Sequence, residues 1–253
     1  MSEILKVKNL VKTFGGLTAV KNLSFSIKKG LITALIGPNG SGKTTTFNMI
    51  SGHLRPTSGE IYFENTRIDN LPPYKIARLG IARTFQNLEI FSHLTTLENV
   101  LLAINSRLKV FLWETVVRAP SFFHKERLAR QKALEYLKMF NLESWAETPA
   151  ASLPFGLQRY LEIARALATH PTLLLLDEAA SGLDAREKDL LKERIIALKQ
   201  EGITILLVEH DMNLVMDLAD EVIVLDMGRK IAQGTPREIQ RNPEVIAVYL
   251  GEG

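Results

Sequence analysis

Short apolar runs open the chain, and their patterning predicts strands. ILKVKNL, LSFSIKK and LITALIG carry branched or alternating apolar residues, and EIYFEN follows a Thr-Ser-Gly turn. A helix is predicted to begin at Gly42-Lys43, directly after LITALIG. From about residue 97 to 151 the pattern turns helical and charged, and HKERLARQKALEYLKMF sets Leu128, Leu134, Leu137 and Phe140 at helical intervals with charges between them. From Phe155 onwards strands alternate with helices. TLLLLD and ITILLVEH are continuous apolar runs of the kind buried on both faces of a parallel sheet. The helical patterns AREKDLLKERIIALKQ and DMNLVMDLAD follow them. Two further short strands, EVIVLDMG and RKIAQG, precede a helical tail starting near Thr235-Pro236. An α/β core is expected, with a β-rich face at the start and a helical insertion in the middle.

Composition narrows the class. Over 253 residues, 46% are hydrophobic and 23% charged, a balance that argues for a globular chain rather than disorder. Lys plus Arg (31) against Asp plus Glu (28) leaves a net charge of only +3, so neither a nucleic-acid partner nor a polybasic membrane anchor is expected. With no cysteine there are no disulfides, thiolate metal sites or cysteine nucleophiles. The start, MSEILKVKNLVKTF, carries neither a long apolar run nor a small-residue cleavage site, so no signal peptide is expected. No stretch reaches the roughly 18 uninterrupted apolar residues of a spanning helix. Any membrane role is therefore expected to be that of a peripheral subunit.

Two segments carry chemistry. GPNGSGKT, residues 37–44, matches G-x-x-x-x-G-K-[ST] at every fixed position, after an apolar strand and before a helical pattern. Such a loop needs glycines so that backbone N–H groups can curl inward onto phosphate oxygens beside the positive end of a helix. Gly37, Pro38, Asn39, Gly40, Ser41, Gly42, Lys43, Thr44 and Thr45 are the candidate nucleotide-binding residues. Lys43 is expected to reach the β- and γ-phosphates and Thr44 to ligate Mg²⁺. In LLLLDE, residues 173–178, Asp177 ends a buried strand, where open α/β sheets bind ligands. It is the second candidate metal ligand, and Glu178 is the candidate to polarise an attacking water. Alone, LLLLDE reads equally well as a strand ending in two solvated acids.

With GPNGSGKT and LLLLDE, the motifs Gln86 in ARTFQ, GLQRYLEIARAL, SGLD (181–184) and His210 in VEHD resemble those of an ABC ATPase, in that family's order and over nearly the whole chain. The resemblance implies a P-loop NTPase core with an N-terminal antiparallel β subdomain and an inserted α-helical subdomain. One domain over residues 1–253 follows: a β-rich face and P-loop to about 90, the helical insertion and signature over 91–160, and the α/β core with its tail over 161–253. It implies ATP and Mg²⁺ as cofactors, with Phe14 stacking on adenine and Gln86 sensing Mg²⁺ and the nucleophilic water. It further implies that Gly156 faces the γ-phosphate held by a second subunit, that Asp184 communicates across the dimer, and that His210 touches the γ-phosphate. Taken singly, Phe14 reads as a core aromatic, Gln86 as a surface amide and His210 as a strand-end histidine.

The signature departs from the usual Leu-Ser-Gly-Gly-Gln. Here it is Leu153-Pro154-Phe155-Gly156-Leu157, then Gln158, so the phosphate-binding serine is replaced by a proline that also lacks an N–H. Backbone donors at the helix start are left to face the anion.

The long helical stretch LENVLLAINSRLKVFLWETVVRAPSFFHKERLARQKALEYL and the end, RNPEVIAVYLGEG, resemble an ATPase subunit of a branched-chain amino acid importer. Lipopolysaccharide-export ATPases and amide or urea importers share part of this pattern. A soluble ABC ATPase of translation or DNA maintenance fits less well, because the chain has one ATPase half and no sustained heptads. A regulatory nucleotide sensor would be expected to lack the carboxylate that Glu178 supplies. The importer resemblance implies integral-membrane permease subunits, a second ABC ATPase and, indirectly, an extracytoplasmic solute-binding protein as partners. The expected place is the cytoplasmic face of the inner membrane.

Overall fold

The computed structural model describes residues 2–107 and 120–250. LKVFLWETVVRA, within the predicted helical stretch, and the final GEG lie outside the described residues. The chain divides into two compact units: Met1–Arg83, Thr172–Ala180 and Ile195–Gly253 form the first, and Thr84–Pro171 with Ser181–Arg194 the second.

The first unit is built on two sheets. β1 (Glu3–Phe14), β2 (Leu17–Lys28), β4 (Ser58–Phe63) and β5 (Thr66–Arg67) form an antiparallel sheet in the order β2-β1-β4-β5. A six-stranded sheet runs β10 (Arg229–Gly234), β9 (Glu221–Asp226), β3 (Ile32–Ile36), β8 (Thr204–Val208), β7 (Leu173–Asp177), β6 (Ile81–Arg83). Its strands pair in parallel except β10 with β9. Every residue of β3, β7 and β8 is buried, which is why these segments read as continuous apolar runs. Leu35, Leu175, Leu206 and Ile223 from the large sheet join Leu5, Leu23, Ile61 and Phe63 from the small one in a single core. α1 (Lys43–Ile50) buries Phe47, Met49 and Ile50 in it. α2 (Pro73–Leu79) was not predicted; it buries only Ile76, so it has no periodic apolar face to betray it.

The second unit contains α3 (Thr96–Arg107), α4 (Pro120–Met139), α5 (Phe155–Leu167) and the first part of α6 (Ala185–Gln200). α3, α4 and α5 pack on one another. On α4 the predicted apolar stripe is corrected. Leu137 and Phe140 just beyond the helix are buried, but Leu128 and Leu134 are exposed, and Ala129 and Ala133 take the inner face. The Phe140 ring stacks on Tyr160 of α5 at 5.7 Å. The Tyr160 hydroxyl donates to the Glu187 carbonyl at 2.6 Å. Burial pushes this phenol up to about 12, with the charges of Glu187 and Asp184 adding to the effect, so it stays a donor. The remainder of the first unit's helices, α7 (Met212–Leu218), α8 (Pro236–Gln240) and α9 (Pro243–Leu250), come from the predicted helical segments.

Candidate functional site

The glycine-rich loop leaves the end of β3 and enters α1. Gly37 has φ 149, and a Cβ there would lie 2.1 Å from the Leu225 carbonyl oxygen, so no other residue fits without moving β9. Gly42 caps α1 in the left-handed region (φ 102), with no side-chain hydrogen bond at the cap among the described residues. The Lys43 ammonium folds back over the loop, donating to the carbonyls of Gly37 (2.7 Å) and Pro38 (2.9 Å). The Ser41 hydroxyl is buried and has no hydrogen-bond partner among the described residues. Thr44 and Thr45 stand in the first turn of α1, Thr44 exposed. Phe14 ends β1 and is 47% exposed, so it is not a core aromatic; the Lys12 ammonium lies 5.0 Å from its ring centre.

The acidic edge comes from two neighbouring strands. Asp177 pairs with Val208 at the carboxyl ends of β7 and β8, so the residues that follow emerge side by side. Asp177 is buried, and Arg83 donates to its Oδ2 at 2.7 Å. The same guanidinium donates to Asn48 Oδ1 (2.7 Å) and the Ser51 hydroxyl (2.8 Å) of the α1 region. Arg83 thus ties the end of β6 to both the metal-ligand candidate and the phosphate-loop helix. Glu178 takes a left-handed backbone (φ 50), uncommon for a residue with a Cβ. Two bonds hold that turn: Glu178 N–H donates to the Val208 carbonyl at 2.9 Å, and Ala180 N–H to Glu209 Oε1 at 2.9 Å. His210 Nε2 and Glu178 Oε1 are hydrogen-bonded at 2.9 Å. The carboxyl ends of the strands therefore present a carboxylate–arginine pair and a carboxylate–imidazole pair, where open α/β sheets bind ligands.

Arg83 and Glu209 escaped the sequence reading. Arg83 sits in the quoted ARTFQ and Glu209 in VEHD, but a lone charge at the end of a short apolar run does not name its partner. Glu209 is buried, and burial raises its carboxyl above the usual range; the Ala180 N–H opposes this, and the charge of Glu178 adds to it. A carboxyl raised on folding holds its proton more tightly in the folded state. Ionising it costs stability as the pH climbs from the ordinary carboxylate range through the raised value. Glu209→Gln keeps an oxygen for Ala180 N–H and removes the charge, so Tm at pH 8 should rise by about 2 °C. The gain should shrink as the pH falls towards the ordinary carboxylate range. A lower Tm at pH 8 would mean that the charge itself holds the turn.

The second unit carries the remaining candidates. Gln86 is exposed, shortly after the chain leaves β6. Pro154 caps α5 with φ −51 and ψ 150, and no side chain bonds to the helix start. The helix begins at Phe155, and Gly156 is buried inside its first turn. A Cβ on Gly156 would lie 1.9 Å from Glu187 Oε1, so a larger residue there would displace the carboxylate that accepts from Asp184 N–H. Asp184 caps α6: its Oδ1 accepts from Glu187 N–H at 2.8 Å, while its own N–H donates to Glu187 Oε2 at 2.9 Å. Among the described residues no group of three or more His, Asp or Glu could hold a metal by itself, and no helix is long and apolar enough to cross a membrane.

Comparison with known proteins shows the family. The family described as ABC transporter matches residues 20–181, and the family described as branched-chain amino acid ATP-binding cassette transporter matches residues 229–253. The high-affinity branched-chain amino acid transport ATP-binding protein BraF of Pseudomonas aeruginosa is 43% identical over 250 residues, 98% of each chain. A crystal structure of the ADP conformation of an ATP-binding cassette from an ABC transporter superposes with a TM-score of 0.84 at 31% identity, covering 99% of this chain and 100% of that one. A dimeric cassette in a post-hydrolysis state, bound to ADP and phosphate, gives 0.79 at 30% identity over 92% of this chain and 99% of that one. The chain belongs to the ABC transporter family of ATPases, among the branched-chain amino acid transport ATP-binding proteins.

Proposed function

We propose that this chain binds ATP with Mg²⁺ and hydrolyses it to power the import of branched-chain or related hydrophobic amino acids through a membrane permease. The observation that carries the hydrolytic part is the Glu178–His210 pair, held on a left-handed turn at the carboxyl ends of the strands, directly after Asp177. The residues fit a phosphate and a cation. A buried hydroxyl without a partner, as at Ser41, costs about 1–3 kcal/mol, and a phosphate oxygen would satisfy it. Among the described residues no group of side chains makes a metal site by itself, so a divalent cation would be held by Thr44 and Asp177 with the nucleotide, and Gln86 is the residue proposed to sense it. Bound Mg²⁺ supplies charge neutralisation on the phosphoryl oxygens.

Each residue then has a defined task. Lys43 exchanges the carbonyls of Gly37 and Pro38 for phosphate oxygens. The backbone N–H groups of residues 39–45 donate to the phosphates, and Phe14 offers its exposed ring to the adenine. Glu178 orients the water and accepts its proton, while His210 fixes that carboxylate and meets the γ-phosphate. Two ATPase subunits would sandwich the nucleotide, the loop of one facing Gly156 and the α5 N-terminus of the other, with Asp184 at the seam. Gln86 would pass the resulting motion to the permease. Coupling requires ATP to bind the closed dimer more tightly than the open one. The partners proposed are integral-membrane permease subunits, a second ABC ATPase and, indirectly, an extracytoplasmic solute-binding protein. The chain would sit peripherally on the cytoplasmic face of the membrane.

The α5 N-terminus makes the odd signature testable. Pro154→Ser adds a side-chain oxygen at a helix cap that now has none, a change worth about 1 kcal/mol to the helix. It should leave ATP turnover intact or tighten ATP-driven dimerisation, as judged by sedimentation with and without ATP. Loss of turnover with an unchanged fold would show that backbone donors do not bind the phosphate here. The transport assignment is tested by a tagged pull-down from detergent-solubilised membranes of the source cell. Two multi-spanning permeases and a second ATPase are expected; recovery only of ribosomal or DNA-associated proteins would overturn it.

A further inference from the structure

α5 does more than present its N-terminus. Arg159 and Glu162 are 3% and 4% exposed, and both point their charges at the segment that carries Gln86. Arg159 Nη1 donates to the Phe85 carbonyl at 2.7 Å, and Nη2 to the Gln86 carbonyl at 2.6 Å. Glu162 Oε1 accepts from Phe85 N–H at 2.8 Å, while its Oε2 accepts from Arg159 at 3.1 Å. One ion pair thus takes both polar groups of the Phe85 backbone and the carbonyl that follows. A turn further along, Arg165 donates to the Glu89 carbonyl and lies 4.7 Å from the Phe91 ring centre.

The Arg159 guanidinium also lies 5.7 Å from the ring centre of Phe155, the first residue of α5. Phe155 in turn fills the space over Gly182, where a Cβ would come within 2.6 Å of its ring. A chain of contacts therefore runs from the 181–184 loop through Phe155 and Arg159 to Phe85 and Gln86. Stability alone is a poor reason for this arrangement. A buried ion pair loses hydration that its mutual attraction barely recovers, and two apolar side chains of similar size often serve as well. What apolar residues cannot do is grip the polar backbone of a neighbouring segment at fixed points.

We propose that Arg159 and Glu162 are positioning residues that lock the Gln86 segment to α5 and, through Phe155, to the 181–184 loop, so that these three motifs move as one body. The inference rests on the assignment of Gln86 to the metal and the attacking water made above. Permease motion felt at residues 85–91 would then reach the signature helix without delay or slack, and the reverse would hold on ATP binding.

The test replaces both charges at once, Arg159→Met with Glu162→Leu, so that neither is left unpaired in the interior. In the full chain, hydrogen exchange over residues 84–91 should speed up about tenfold or more, with the amides of α5 little changed. The turnover number should fall about tenfold or more, because a misplaced catalytic group is costly, while ATP affinity stays within about twofold. Unchanged exchange at 84–91 would overturn the clamp, and so would faster exchange with wild-type turnover, which would leave the pair a purely structural role. Gln86→Ala is measured alongside. If it turns over at the wild-type rate, the assignment of Gln86 fails; if it is slowed and the double variant is not, the clamp fails. Should the double variant not fold, the wild-type chain still decides: Phe85 N–H must exchange as slowly as the α5 amides, and exchange at the rate of an open loop would overturn the proposal.

Discussion

Glu178→Gln should cut the turnover number by about 10²- to 10³-fold while leaving ATP affinity near that of the wild type. The amide keeps the shape of the carboxylate and an oxygen that can bond to His210, so the pair at 2.9 Å need not be lost. The left-handed backbone at φ 50 is held by the Val208 carbonyl and by Glu209, neither of which the substitution touches. What goes is the ability to accept a proton from water. The loss should therefore appear in kcat, with KM for ATP little changed, as expected when an interaction made only in the transition state is removed. Because hydrolysis would release the closed dimer, the variant should accumulate as a dimer in ATP, visible by sedimentation. Turnover at the wild-type rate would remove Glu178 from the proton-accepting role and leave the turn's strain without a catalytic reason.

How far an element's partners lie along the chain decides how much of this site is legible in the sequence. β3, β7 and β8 are buried along their whole length, so their apolar runs stood out. The phosphate loop was legible because its chemistry is local: Lys43 bonds to the Gly37 carbonyl within the same short loop, and Gly42 supplies the left-handed backbone just before the helix. Pairings across the sheet were not. Arg83 meets Asp177 only because β6 lies beside β7, and β6 is three residues long with no pattern of its own. Glu209 bonds to Ala180 only because β8 lies beside β7. The same holds for Arg159 and Glu162, whose spacing on a helix says that they face one side but not what they face. On α4, exposed Leu128 and Leu134 mimicked a core stripe while alanines did the packing. Apolar periodicity counts large side chains, whereas close helix packing selects small ones.

Lys43→Ala should weaken ATP binding by about 10²-fold, because a charge-assisted hydrogen bond to phosphate is worth about 1.5–3 kcal/mol. The substitution is mild for the fold. Alanine is the best helix former at the first position of α1, and the apolar residues that anchor this helix, Phe47, Met49 and Ile50, are elsewhere on it. The variant does lose two bonds, to the carbonyls of Gly37 and Pro38, so the loop is less tightly fastened before nucleotide arrives. Those two effects separate experimentally. Thermal unfolding without nucleotide reads the fastening. The shift in Tm on adding ATP reads the affinity, since a ligand that binds only the folded state stabilises it by an amount set by its concentration over Kd. The expected pattern is a small drop in the first and a near-complete loss of the second at ATP concentrations that saturate the wild type. An unchanged ATP-induced shift would mean that Lys43 serves only to brace the loop. The phosphates would then be held by the backbone N–H groups of residues 39–45 alone, and the charge proposed to stabilise the transferring phosphoryl group would have to come from elsewhere in the site.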